Sequence, residues 1–295
     1  MHECHDHHKS NNLKWSMLII GSIFIVELIG GLVSGSLALV SDSFHMLMDF
    51  FALFLAFFAL KVSSSMPTNR RTFGLHRTEI LAALANGLVM FAVSGFIIYR
   101  AVLRIMDPQG INAPIMLIVA AVGLIANLVV LFKLHGHHDL NMKGAYLHVL
   151  GDTLSSVAVI AGAIVIYFTG IVSIDPILSF LIVGIILYNA IRLVWESLHI
   201  LLEGVPFGIN VDEVIREMKR SKKVKDVHAV HIWSVCSNIC FMSAHVVVDA
   251  EKICDTVLIE QELNKRLEKF NIRYATFQFA NTKCSSPNKL RMIRH

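Results

Sequence analysis

Two histidine–aspartate pairs stand inside stretches of this chain that are otherwise almost wholly apolar. His45 and Asp49 end the run Ser41-Asp42-Ser43-Phe44-His45-Met46-Leu47-Met48-Asp49, and His148 and Asp152 bracket His148-Val149-Leu150-Gly151-Asp152. Each pair is spaced four residues apart, which places imidazole and carboxylate on one helical face about one turn from each other. Ionisable groups within apolar spans are costly and persist mainly where they serve a pathway. A single such histidine reads most simply as a packed hydrogen-bonding group, whereas two matched pairs read as metal ligands. Two neutral imidazoles and two carboxylates give four N/O donors, and the two negative charges cancel those of a divalent cation. A neutral complex suits a low-dielectric interior, and tetrahedral N/O coordination suits Zn2+. Magnesium and calcium prefer six or more oxygens. Ligand type alone leaves cadmium, cobalt and iron open.

The elements that must position these groups follow from composition. The chain of 295 residues is 55% hydrophobic and 16% charged, with a mean hydropathy of +0.62, against about a quarter charged in soluble domains. Long apolar runs fill positions 15 to 202, and a soluble composition returns after Gly208. A bilayer-crossing helix needs about 20 apolar residues. The qualifying stretches are approximately Leu13–Val33, Ser36–Leu60, Thr78–Leu103, Ala113–Leu134, Lys143–Phe168 and Ile174–Leu202, broken by Gly35, by Asp107-Pro108-Gln109-Gly110 and by Thr169-Gly170. The expected organisation is a polar tail (1–12), a six-helix membrane domain (13–207), an α/β domain (208–284) and a C-terminal tail (285–295). Lys9, Lys14, Lys61, Arg70, Arg71, Arg77, Lys133 and Lys143 fall on one side of the spans, while Arg100 and Arg104 lie near one loop of the other. The excess of basic residues marks the cytoplasmic side, so both termini are expected there. Asp49 then lies about 18 Å from the outer end of its span and Asp152 about 13 Å from the inner end of its own. In a core about 30 Å thick the two are level.

The remaining residues sort into weaker signals. Glu27, Asp42, Asn86 and Asn127 are intramembrane polar groups that either line a water path or hydrogen-bond between helices. Gly30, Gly31 and Gly35 either pack or bend. From Asn210 the pattern reads helix (Val211–Ser221), strand (Asp226–Val235), strand (Phe241–Asp249), helix (Thr256–Lys269) and strand (Ile272–Phe279), with Ser237-Asn238 as a hairpin turn. Cys4, Cys236, Cys240, Cys254 and Cys284 show no CxxC spacing, which fits a reduced setting. The net charge of +4 is spread without a stripe, which excludes nucleic acid as a partner. His2-Glu-Cys-His-Asp-His-His8 and His135-Gly-His-His138 are short polar segments able to chelate metal. No cleaved signal peptide is evident. A metalloprotease-like enzyme would need an His-Glu-x-x-His helix, which is absent from the sequence. A membrane zinc sensor that does not transport is the other rival.

The run Glu27-Leu-Ile-Gly-Gly31 with Ser34-Gly-Ser-Leu-Ala-Leu-Val-Ser-Asp-Ser-Phe-His45, and the motifs Phe73-Gly-Leu-His-Arg-Thr-Glu79, Leu147-His-Val-Leu-Gly-Asp152 and His231-Ile-Trp233, resemble the cation diffusion facilitator family in its zinc-transporter branch. The resemblance covers nearly the whole chain. It implies a six-helix membrane domain with a metallochaperone-like (ferredoxin-like) cytoplasmic domain, homodimerisation, and efflux of a divalent cation in exchange for protons. It implies His45, Asp49, His148 and Asp152 as transport ligands, with the histidine in span two associated with zinc and cadmium preference. His228, His231, His245 and Cys284 are the corresponding candidates for a regulatory cytoplasmic zinc site. Cys236 and Cys240 are either further thiolates or small core residues. A second, membrane-surface metal site of some relatives is not expected, because Thr68 and Arg71 stand in its place. Arg77 either pairs with Glu203 or sits in a solvated basic loop. The short histidine loop after span four favours a prokaryotic inner membrane over a vesicular one.

Overall fold

Backbone immersed in lipid must satisfy its own hydrogen bonds, so apolar runs of bilayer length fold as helices. The structure is a computed structural model that describes residues 21–63, 67–134, 140–236, 239–249 and 253–281. Helix α1 covers Gly21–Ser34, α2 Leu37–Ser63, α3 Arg77–Met106, α4 Ala113–Leu134, α5 Leu140–Thr169 and α6 Ile174–Leu201. Among the described residues α3, α4, α5 and α6 contain segments long and apolar enough to cross a membrane. The segments His2–His8, His135–His138, Ser237-Asn238, Cys284 and the tail 285–295 lie outside the described residues, as do the side chains of His148 and Cys254.

The chain divides into two compact units. The first holds most of α1 to α6. Leu32, Phe96, Ile118, Phe132 and Tyr188 are each more than half exposed on it, a surface that water would penalise and that lipid solvates. Inside, Leu39, Met48, Met116, Val159 and Ile186 pack with Ala120, Ala163 and Ala190; small residues let helices approach closely. A Cβ on Gly30 would sit 2.4 Å from Val119, and one on Gly31 2.9 Å from the backbone nitrogen of Val40. These glycines serve packing. Gly35, at φ +72°, makes the turn into α2.

The start of α2 is capped from another helix, which the sequence did not reveal. Ser36 begins the cap, its Oγ accepting from the N–H of Leu39 at 3.2 Å. Asp175, fully buried in the first turn of α6, accepts from the Ser36 hydroxyl and from the N–H groups of Leu37 (2.7 Å) and Ala38 (3.1 Å). Those are the orphan donors of a helix N-terminus. Arg104 of α3 donates to the same carboxylate at 3.2 Å with its side chain 14% exposed. Arg104 therefore turns into the bundle while staying beside the loop after α3, its other amino group 3.5 Å from Gln109 Oε1.

The second unit holds the soluble part and the segment joining α2 to α3. Helix α7 (Val211–Met218) is N-capped by Asn210, which accepts from the N–H groups of Asp212 and Glu213. Strands β1 (Val224–Cys236) and β2 (Ile239–Val248) pair antiparallel, and β3 (Ile272–Ala280) joins β2 parallel, giving the order β1-β2-β3. Helix α8 (Ile253–Leu267) and a 3-10 turn (Glu268–Phe270) connect the parallel pair. Cys240, Met242, Ala244 and Val246 alternate along β2 into a core with Val214, Met218, Ile259 and Leu263. On the other face Trp233, Phe241 and Tyr274 stack, and Phe73 of the α2–α3 segment meets Phe241 edge-on at 5.2 Å. Glu217 accepts from Arg220, Arg266 and Lys269, and Glu262 accepts from Arg266 and Ser221. These donors hold both carboxyls below the ordinary carboxylate value of 4.5.

Helix α6 ends in a Schellman turn: the N–H of Glu203 reaches the carbonyl of Ile200 and that of Gly204 the carbonyl of His199. The left-handed position in this turn normally takes glycine, yet Glu203 occupies it at φ +60°. Its carboxylate lies 3.0 Å from Arg77. Of the two readings for Arg77, the ion pair is the one observed.

Candidate metal centre

Helix α2 carries Asp42, His45 and Asp49, and α5 carries His148 and Asp152. His45 Nε2 lies 3.2 Å from Asp152 Oδ1. One ligand atom each from His45, Asp49 and Asp152 fall within 4.8 Å of one another, with His45 buried and both carboxylates half-buried. Among the described residues this is the one group of three or more metal-ligating side chains so arranged. Ligands about 2.0 to 2.1 Å from a tetrahedral ion stand roughly 3.3 Å apart, so the His45–Asp152 separation already matches coordination. His148 stands one turn before Asp152 on α5 by its backbone, and its side chain lies outside the described residues.

Polar side chains one layer out hold these helices in register. Ser155 donates to Asp42 Oδ1 at 2.7 Å, joining α5 to α2. Asn127 of α4 donates to Ser156 at 3.3 Å, and Ser156 donates to the carbonyl of Asp152 at 3.1 Å. Asp42 and Asn127 thus take the interhelical role. Ser155 and Ser156 were not singled out from sequence; two adjacent serines one turn beyond Asp152 on an apolar helix were the available signal. Glu27 is 1% exposed, with Oε1 lying 2.1 Å from where a Cβ on Gly123 of α4 would stand. Its Oε2 has no hydrogen-bond partner among the described residues.

In the second unit His228 pairs across the strands with His245, ring centroids 5.4 Å apart, and His231 pairs with Ser243. A bulge between His228 and His231, with Ala229 at φ +50°, inserts one extra residue into β1. The insertion keeps both histidines opposite outward-facing residues of β2. No third metal-ligating group joins His228 and His245 among the described residues. Cys236 and Cys240 are buried, and burial pushes the Cys240 thiol up to about 11, so Cys240 serves the core rather than as a thiolate. Thr68 and Arg71 pair through their backbones.

Comparison with known proteins decides the family. A profile described as the cation efflux transmembrane domain matches residues 13–202. The chain belongs to the cation efflux family. A second profile, the cation efflux protein cytoplasmic domain, matches residues 206–279. Among cation efflux relatives, the metal cation efflux system protein CzcD of Cupriavidus metallidurans is 39% identical over 284 residues, covering 95% of this chain and 90% of its own. A cadmium, cobalt and zinc/H(+)-K(+) antiporter of Bacillus subtilis is 36% identical over 282 residues, 93% and 91% of the two chains. A human proton-coupled zinc antiporter is 33% identical over 315 residues, 98% and 85% of the two. As a member of this family the chain is a multi-pass membrane protein for metal-cation efflux, with a helical membrane region, in which four helices among the described residues are long and apolar enough to span, and a small mixed-sheet domain.

Proposed function

We propose that this protein exports zinc from the cytoplasm in exchange for protons, through a site of His45, Asp49, His148 and Asp152. The observation that carries the reading is the meeting of three donors from two helices within 4.8 Å inside a bundle with an apolar outer surface. His148 completes a four-donor set by its one-turn spacing from Asp152. Such donors bind metal only when deprotonated, so metal and protons compete for them. On the outward-facing side, proton uptake by these groups releases zinc; on the inward-facing side, proton loss readmits it. Access alternates by tilting of α2 and α5 relative to the rest of the bundle. The names of two relatives, both antiporters of zinc, support the proton coupling. Cadmium, cobalt and iron compete for the same donor types.

The boundaries that accompany this reading are a tail at 1–12, a membrane domain at 13–207, a cytoplasmic domain at 208–284 and a tail at 285–295. The basic residues support cytoplasmic termini, and the bacterial relatives support an inner membrane of a prokaryotic cell. The name of the second matching profile, ZT_dimer, supports a homodimer. His228 and His245, with His231 and Cys284, are our candidates for a regulatory zinc site; one zinc per monomer at equilibrium would argue against it.

Zinc uptake into proteoliposomes, reported by an enclosed fluorescent chelator, tests the proposal. Wild type should transport under an imposed proton gradient, and Asp49→Asn and Asp152→Asn should not. Transport unaffected by collapse of the gradient would remove the antiport, and full activity in both variants would remove the site. Competition with cadmium, cobalt and iron in wild type and His45→Asp ranks the metals.

A further inference from the structure

The second unit contains a cavity of about 990 Å³ between the α2–α3 segment and the outward face of the sheet. Arg70, Arg71 and Arg77 line it, together with His76, His231 and Trp233. The one carboxylate on its wall is Glu203, which Arg77 already engages. Arg70 and Arg71 have no carboxylate partner among the described residues. Most of the rest of the lining is apolar, including Phe73, Leu81 and Val235, with Thr72, Thr78 and Ser243 among it. A free anion would gain nothing from the apolar side chains. A molecule with an anionic head and an apolar body would use both.

Location narrows the class further. Arg77 is the first residue of α3, a helix of membrane-crossing length and composition, so the cavity opens where that helix meets the bilayer surface. Basic pockets at the cytoplasmic surface bind anionic lipid headgroups, and the helix N-terminus adds a partial positive charge. Phe73, seated on Phe241, fixes the arginine-bearing segment against the sheet.

We infer that this cavity binds the headgroup of an anionic phospholipid, with Arg70 and Arg71 contacting the phosphate and the apolar wall receiving the glycerol and first methylenes. The inference goes beyond metal transport and rests on the membrane placement of α3 and on the cytoplasmic orientation proposed above. The full-length protein in neutral detergent is titrated with short-chain phosphatidylglycerol, with phosphatidylcholine of equal chain length, or with inorganic phosphate. Hydrogen–deuterium exchange of residues 67–82 and 230–243 is followed. Phosphatidylglycerol should slow exchange in both segments, and the other two ligands should not. Arg70→Gln with Arg71→Gln should weaken the effect roughly thirtyfold in apparent affinity, the increment of two arginines near an anionic surface, and folding of the variant is checked by unchanged exchange in α5. Equal protection by phosphatidylcholine, protection by phosphate alone, or protection that follows protein concentration instead of lipid would each overturn the inference. The measurement involves no zinc, so its failure leaves the transport reading standing and the converse also holds.

Discussion

Asp49 and Asp152 each bring a carboxylate beside His45 in an otherwise apolar bundle, and because they are the proposed ligands their loss should cost transport far more than stability. Asn in either place keeps the shape and removes the charge that a dication needs. We expect at least a hundredfold fall in zinc uptake with a melting temperature in detergent unchanged or raised; a parallel loss of folding would mean that the carboxylates serve structure. Gly123 gives a test of the opposite kind. A Cβ there would meet the Glu27 carboxyl, so Gly123→Ala should destabilise by about 1–3 kcal/mol. The double variant with Glu27→Ala should recover most of that, and equal destabilisation in the double variant would show that Glu27 is not the obstacle. The i, i+4 spacing made the helices that bring His45, Asp49 and Asp152 together legible from sequence, because that periodicity is local. The Ser155 and Asn127 braces were not, because each partner lies on a helix the sequence cannot orient.

At the scale of elements, boundaries were largely readable: the apolar runs and their glycine, proline and aspartate breaks matched α2 to α6 within a few residues. So were the strands, from their β-branched residues. The parallel pairing of β2 with β3 and the bulge at Ala229 were not, since both depend on register between distant segments. Asp175 was missed for the same reason. Its replacement by Asn should destabilise by about 3–5 kcal/mol by leaving Arg104 buried without a charge partner. Adding Arg104→Leu should restore part of the loss in a thermal melt; no recovery would mean that the cap on α2, not the ion pair, dominates. The end of α6 poses a finer question. Glu203 bears a left-handed strain of about 1 kcal/mol that glycine would not, while its exposed pair with Arg77 contributes less than about 1 kcal/mol. Glu203→Gly should therefore melt no lower than wild type and Glu203→Ala should melt lower. Equal melting of the two would show that backbone strain there is negligible.

The whole molecule joins a unit solvated by lipid to a unit solvated by water, and the two should answer differently to acid. Glu217 and Glu262 are held below the ordinary carboxylate value by Lys269 and by Arg266, respectively, as the main partners. A depressed folded value means the stabilisation is fully present above that ordinary range and is lost as pH falls through the folded values. Hydrogen exchange across α7 and α8 should accelerate below about pH 4.5, while α4 and α5 stay protected. Glu217→Gln should loosen α7 and α8 at neutral pH and change little at pH near 3. A variant that remains distinct from wild type in acid would show that Glu217 acts by shape alone.

The Asp175 carboxylate clasps the first turn of α2 from outside that helix, and the consequence is mechanical. With its first turn held as a fulcrum, α2 would behave as a lever whose displacement grows with distance from the clasp. Asp49 lies about 18 Å along it. A tilt of only ten degrees or so would swing that carboxylate by about 3 Å, more than a whole metal–oxygen bond. If Asp49 is the ligand proposed above, such a lever would grip or drop an ion while its anchored end hardly stirs.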